Sequence, residues 1–259
     1  ENNFITDNIL VIDSIDGYYK ELTKNALTIA DKSAVEFLNN LYQSPINIKN
    51  VYFIDEINTG NKLQKIITKA RKGNYIHLLA LGGGKTLDFA KFISLNSDKN
   101  LISIPSSLAT HVYASPKIHA LPPIKELGFE NTIDGESSHL SLLDINLLDK
   151  LYQINPRLIL SGFGDLMAFI NARNDWEISS KIGKERYSKI VDESINYIIS
   201  KLMNLNIQKP LKMWIEEYVF IQCLLCNITH WVGSAPASGA EHLFAKCVDE
   251  ELLIPPLHG

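Results

Sequence analysis

The sequence predicts an N-terminal α/β domain built on a parallel, doubly wound sheet over residues 1–150, followed by an all-helical domain over residues 151–259. Three observations carry this expectation. Short β-rich runs alternate with helical patterns through the first half, and repeated β-α units require parallel strands joined by right-handed crossovers. Beyond residue 150 the strand signals fade and long stretches with helical apolar periodicity take over. Between the two, Ser115–Ser138 carries Pro116, Pro122, Pro123, Gly128 and Gly135 and reads mainly as loops.

Taken in order, Ala26–Asp31 is a strand, and Ser33–Ser44 is the helix after it with Ser33 as its N-cap. Asn50–Asp55 is the next strand. It leads to a helix over Asn61–Gly73, whose Leu63, Ile66, Ile67 and Ala70 recur at helical spacing. Tyr75–Gly84 is a buried strand that breaks into three glycines, Lys85–Asn96 is helical, and Leu101–Ser107 is a further strand. In the second half, Pro156, Pro210 and Pro236 each stand where a helix can begin. The cleft between two such domains is where a ligand is expected.

Composition narrows the class. With 46% hydrophobic and 21% charged residues the chain is an ordinary globular sequence, which excludes wholesale disorder. Twenty-five Lys plus Arg against 29 Asp plus Glu leaves a formal charge of −4, so no global charge drives it toward nucleic acid or anionic membrane. Neither a signal peptide nor a run of about 18 apolar residues is seen, and three cysteines are too few for a disulfide framework. A cytoplasmic protein without a membrane span is therefore expected, with association of identical chains left open.

Two groups of residues bear on chemistry. Gly82-Gly83-Gly84 lies between an apolar strand and a helix, where backbone N–H groups and the helix N-terminus can meet a phosphate. A tight turn with no ligand explains the same run, which is neither GxGxxG nor GxxxxGK[ST]. Asp165 sits in SGFGDLMAF among apolar neighbours, where a carboxylate needs a cation or donors. With His242 and His258 it makes a donor set suited to Zn²⁺ or Fe²⁺, although helix capping or hydrogen-bonded histidines account for each residue singly. Cys223-x-x-Cys226 lies in an apolar helix and reads as buried small hydrophobes, while His77 and His230 read as core histidines.

The ordered runs LALGGGKTLDFAKF, SGFGDLMAF, GSAPASGAEHLFAK and LHG resemble the iron-containing alcohol dehydrogenase and dehydroquinate synthase-like superfamily, and within it most resemble the glycerol-1-phosphate dehydrogenase branch. The resemblance runs from about residue 26 to the end. It implies a Rossmann-like α/β domain that binds NAD or NADP, and an all-α metal- and substrate-binding domain whose C-terminus is truncated, since the family continues by several helices after the position of His258. It places Gly82, Gly83, Gly84, Lys85 and Thr86 at the cofactor pyrophosphate, Asp31 near the adenosine ribose, and Ser106 and Ser115 among the cofactor contacts. Asp165, His242 and His258 fall on the ligands of one divalent ion, Zn, Fe or Ni. In the family that ion polarises a carbonyl that takes hydride from the nicotinamide. The implied activity is reduction of a small phosphorylated ketone such as dihydroxyacetone phosphate to an alcohol.

Two positions depart from the family. His111-Val112 stands where the family run has Asp-Gly, and Lys246 stands where the branch has a second histidine near substrate. Both changes make a substrate pocket more basic, so a substrate other than dihydroxyacetone phosphate, or a more anionic one, is expected. Two alternatives stand beside this reading. One is an NAD- and metal-dependent sugar-phosphate cyclase of dehydroquinate synthase type, whose usual glutamate ligand and GGGVxxDxxGF turn are absent here. The other is a non-catalytic relative.

Overall fold

The computed structural model describes residues 8–43, 50–183 and 188–233. These fall into two compact units. One takes in the described residues up to Ser107 together with Val112–Asn155, and the other takes in Leu108–His111 with the described residues from Pro156 onward.

The first unit is a six-stranded parallel sheet. Its strands are β1 (Ile9–Ile12), β2 (Ala26–Ala30), β3 (Val51–Phe53), β4 (His77–Gly82), β5 (Leu101–Pro105) and β8 (Leu140–Asp144), in the order β1-β8-β5-β4-β2-β3. The helices α1 (Asp16–Thr23), α2 (Lys32–Tyr42), α3 (Gly60–Lys72), α4 (Gly84–Ser97) and α6 (Ile145–Ile154) belong to the same unit. Every residue of β2 is buried, as is β4 from Leu78 to Gly82, which is why these strands read as continuous apolar runs rather than alternating ones. Fully burying each Leu or Ile here is worth about 1.5–3 kcal/mol, and Leu27, Ile29, Leu78, Leu79 and Leu81 form the centre of the sheet.

Several helix starts are fixed by side chains. Asp31, not Ser33, caps α2: its Oδ1 accepts from Ser33 N at 2.8 Å and from Ala34 N at 3.4 Å, so the helix begins two residues earlier than a Ser33 cap implies. Thr59 caps α3 and Asp144 caps α6. Asp144 is fully buried and also accepts from Ile15 N at 3.0 Å and from the Tyr42 hydroxyl at 2.5 Å, tying α1, α2 and α6 to the end of β8.

The stretch Ser115–Ser138 is more ordered than a set of loops. It holds an antiparallel pair, β6 (Lys117–His119) with β7 (Thr132–Asp134), and a short helix α5 (Pro122–Lys125) between them. A buried lysine organises it. Lys91 of α4 is 2% exposed. Its ammonium lies 3.7 Å from Asp88 and donates to the carbonyls of Val112, Ser115 and Lys117, while Asp88 accepts from His119 N at 3.1 Å.

The second unit is helical: α7 (Arg157–Lys181), α8 (Lys189–Asn204) and α9 (Ile215–Val232), the last preceded by a 3₁₀ turn over Leu211–Met213. On α7 the buried positions are Ile159, Gly162, Leu166, Phe169, Ala172 and Trp176, a stripe at helical spacing. Arg173 grips Asp192 of α8 with two guanidinium nitrogens and donates a further bond to Asn196 Oδ1 at 2.8 Å. Cys223 and Cys226 are buried thiols that form no disulfide among the described residues, as expected of small apolar side chains, and burial pushes the Cys223 thiol up to about 12. His77 is satisfied, its Nε2 lying 2.7 Å from the Leu22 carbonyl. His230 is not a core histidine: it is exposed in the last turn of α9, where a basic side chain suits the helix dipole. No helix among the described residues is long and apolar enough to cross a membrane.

Candidate active site

The first unit builds its candidate site where the chain changes direction. From β2 it travels through α2 to β3 on one side, and from β4 it travels through α4 to β5 on the other, although β2 and β4 are adjacent. In an open parallel sheet, the crevice outside the carboxyl ends of such a pair is where ligands bind. Here those ends carry Asp31 and the glycine turn, and Asp31 N donates to the Leu81 carbonyl at 2.9 Å.

The turn requires its glycine. Gly82 has φ +155°, and a Cβ there would fall 2.4 Å from Thr86 Oγ1 and 3.0 Å from Asp31 Cβ. Gly83 caps α4 without a side-chain hydrogen bond, so the N-cap residue itself leaves the first N–H groups of the helix open. A Cβ on Gly83 would meet nothing nearer than Ser107 Cβ at 3.9 Å, leaving room above the turn. Gly84 is the first residue of α4 and Lys85 is exposed beside it. Thr86 is fully buried and its Oγ1 has no hydrogen-bond partner among the described residues, a polar atom left open beneath the turn. Ser106 N donates to the Gly82 carbonyl at 3.0 Å. Ser115 is buried, with its Oγ accepting from Lys117 N at 3.1 Å. The Asp31 carboxylate uses Oδ1 for its cap and for the Ser33 hydroxyl at 2.6 Å.

The second unit holds Asp165 and His111 together. Asp165 stands in α7 beside the buried stripe, and His111 Nδ1 lies 3.2 Å from Asp165 Oδ2, with the two side chains 26% and 12% exposed. The segment bearing His111 is fastened to the helices. Leu108 N donates to the Leu158 carbonyl at 3.0 Å, the Leu108 carbonyl accepts from Gln222 Nε2 at 3.1 Å and the Tyr218 hydroxyl at 3.3 Å, and the Cys226 thiol points to the His111 carbonyl at 3.7 Å. Tyr218 stacks on Phe163 with ring centres 4.5 Å apart, and burial, aided by the negative charge of Asp165, raises its phenol well above the ordinary tyrosine range.

Gly162 makes this packing close. A Cβ on it would come 2.2 Å from the Tyr218 hydroxyl and 2.4 Å from the Leu108 carbonyl, one turn before Asp165. Of the sequence-predicted metal and substrate residues, Asp165 and His111 are brought together, while His242, Lys246 and His258 lie outside the described residues. Sequence reasoning missed the supporting residues Gly162, Tyr218, Gln222 and Lys91. The i, i+3 charges Asp88 and Lys91 in the apolar run LDFAKF were a visible signal for the last of these.

Known proteins resemble this chain in sequence and in fold. Residues 21–122 match the model of a family described as iron-containing alcohol dehydrogenase. A curated protein of Metallosphaera sedula, glycerol-1-phosphate dehydrogenase [NAD(P)+], is 30% identical over 233 residues, covering 82% of this chain and 60% of its own length. Maleylacetate reductase from Agrobacterium tumefaciens has the same fold at a TM-score of 0.58 and 15% identity, over 96% of this chain and 69% of that one. Sulfoacetaldehyde reductase from Bifidobacterium kashiwanohense, solved in complex with NAD+, aligns at a TM-score of 0.57 and 13% identity, over 96% of this chain and 70% of its own. The chain thus spans about 60% of the length of the curated relatives it matches.

Proposed function

We propose that the chain is a member of the iron-containing alcohol dehydrogenase superfamily, a reading supported by the family match over residues 21–122 and by the 30% identical relative, and that it acts as an NAD(P)- and divalent-metal-dependent oxidoreductase that reduces a small phosphorylated ketone to an alcohol. The observation that carries the reading is the glycine turn at the β2/β4 direction change, with Gly82 in a conformation other residues resist and an uncapped helix start behind it. Relatives named glycerol-1-phosphate dehydrogenase [NAD(P)+] support the substrate class, with dihydroxyacetone phosphate as its reference member.

Two sets of residues fit the implied groups. Gly82, Gly83, Gly84, Lys85 and Thr86 would hold the cofactor pyrophosphate: the space over Gly83 admits it, the α4 N–H groups can donate to it, and the orphaned Thr86 Oγ1 lies beneath the turn. Ser106 and Ser115 would line the same side, and Asp31 would meet the adenosine ribose. A carboxylate there disfavours a 2′-phosphate, so NAD is the preferred form. Asp165, with His242 and His258, would hold the divalent ion. The largely shielded carboxylate and the His111 Nδ1 beside it, unsatisfied among the described residues, are the observations that suit a cation there.

The chain's own part in the reaction is positioning. When bound, the ion polarises a carbonyl as a Lewis acid and the nicotinamide supplies the hydride. Asp165 is kept in place by α7 and by the Gly162–Tyr218–Leu108 packing one turn before it. His111 and Lys246 replace family substrate groups with more basic ones, so the preferred ketone is more anionic than, or different from, dihydroxyacetone phosphate.

The test is a panel of phosphorylated ketones and aldehydes offered with NADH or NADPH to metal-reconstituted protein. The reading expects cofactor oxidation with at least one phosphorylated ketone and faster turnover with NADH. Absence of turnover across the panel would sink it.

A further inference from the structure

We propose that His111 is itself a ligand of the divalent ion at Asp165, a nitrogen donor added to the set, and not solely a group facing substrate. The proposal rests on the reading of Asp165 as a metal ligand and deepens it.

Three observations lead there. His111 Nδ1 is shielded from solvent, yet among the described residues it has no hydrogen-bond partner. Asp165 Oδ2 stands 3.2 Å away but is not placed to accept a bond from it. A buried ring nitrogen left so is costly, and with its lone pair toward a carboxylate it is repelled as well. A cation between the two atoms gives the nitrogen a partner and turns that repulsion into attraction.

The separation is also right for shared coordination. Imidazole nitrogen and carboxylate oxygen bind a zinc-like ion at about 2.0–2.2 Å, and tetrahedral neighbours at that length stand roughly 3.3 Å apart. The two donors here are 3.2 Å apart.

Finally, the residue is held in place. The Cys226 thiol meets the His111 carbonyl, and Gln222 and Tyr218 of α9 donate to the carbonyl of Leu108 in the same short segment. A backbone anchored this way keeps the ring at Asp165 before any ion arrives, which lowers the entropic cost of ligation. An imidazole added to a carboxylate also shifts preference toward Zn²⁺, Co²⁺ or Ni²⁺ and away from Mg²⁺ or Mn²⁺.

The experiment strips the full chain with chelator and titrates it with Co²⁺, reading affinity by calorimetry and the number of bound imidazoles by X-ray absorption. His111→Ala, His111→Asn and His111→Asp are compared with the unaltered chain, each checked for folding by circular dichroism, so that a misfolded alanine variant leaves the asparagine variant to decide. The expected result is one imidazole fewer in every folded variant. Affinity should fall at least about tenfold in the alanine and asparagine variants, since even outer-shell changes cost about that much. His111→Asp should recover part of the affinity without the lost imidazole. Unchanged affinity and imidazole count in the variants would overturn the proposal, leaving His111 as an ion-pair partner of Asp165 alone. Failure of the unaltered chain to bind Co²⁺ would instead remove the metal-ligand reading of Asp165, and this proposal with it.

Discussion

His111 Nδ1 lies 3.2 Å from Asp165 Oδ2, one residue carried by a short segment after the sheet and the other by the early turns of α7. What fixes the distance is the absence of a side chain at Gly162, which lets the Tyr218 hydroxyl and the Leu108 carbonyl approach α7 one turn before Asp165. Gly162→Ala should destabilise the protein by about 1–3 kcal/mol, the usual cost of overpacking. The same variant should bind Co²⁺ more weakly. Urea denaturation and metal titration check the two effects, and an alanine tolerated without loss of either would show that the packing does not set the pair.

The glycine turn separates into a strained and an unstrained position. At Gly82 a methyl collides with Thr86 Oγ1 and the φ of +155° disfavours any side chain, so Gly82→Ala should cost about 1–3 kcal/mol in stability. At Gly83 nothing lies within 3.8 Å of the added Cβ except open space short of Ser107 at 3.9 Å, so Gly83→Ala should cost no more than about 1 kcal/mol, the loss of a fair N-cap. It should nonetheless weaken NADH binding tenfold or more, because the methyl occupies the approach of the pyrophosphate. Fluorescence titration with NADH, set beside thermal unfolding, tests the contrast.

Lys91 is a structural charge. With Asp88 and the carbonyls of Val112, Ser115 and Lys117 as partners, its removal takes the counter-charge from a buried carboxylate and the donor from three carbonyls. Lys91→Met should therefore cost about 3–5 kcal/mol. Pairing it with Asp88→Leu should recover part of that loss, as measured by denaturant midpoint.

Burial also sets an alkaline limit. The Cys223 thiol is pushed up to about 12 by desolvation, and the phenols of Tyr19, Tyr42 and Tyr218 are raised too. For each group the unfolded chain loses its proton first, so the stabilisation is complete below the ordinary value and declines as pH rises toward the folded one. Stability should fall from about pH 9 to pH 12, and Cys223→Val should flatten the early part of that fall. At neutral pH, Cys223 in the folded protein should resist alkylation, as mass spectrometry after iodoacetamide treatment would show.

Much of this fold is legible in the sequence, for a physical reason. β2, β4 and β5 are buried central strands and so appear as mostly apolar runs, broken only by small hydroxyl residues at Thr28 and Ser103, and the glycine break after β4 marks its end. β1 and β8 were not read as strands. β1 is four residues long, and β8 follows a Pro- and Gly-rich stretch that hid it and the β6–β7 pair. Ser33 was taken as the cap of α2 because serine favours that place, but Asp31 occupies it with a better acceptor. Lys91 escaped notice because a lysine in a helix reads as solvent-facing, and only tertiary carbonyls reveal it as buried. In the candidate site, residue types announced the turn and Asp165, whereas the approach of His111 to Asp165 depends on contacts distant in sequence.

The proposed activity is transfer of hydride from a reduced nicotinamide to a phosphorylated ketone with the help of a divalent ion. The most direct measurement is the steady-state loss of NADH absorbance with dihydroxyacetone phosphate or a larger phosphorylated ketone, before chelation, after chelation and after return of Zn²⁺ or Ni²⁺. The account predicts one NADH consumed per alcohol formed, loss of the rate on chelation and its recovery with the ion. Release of inorganic phosphate without net NADH consumption would contradict it and point to the cyclase chemistry of the wider superfamily.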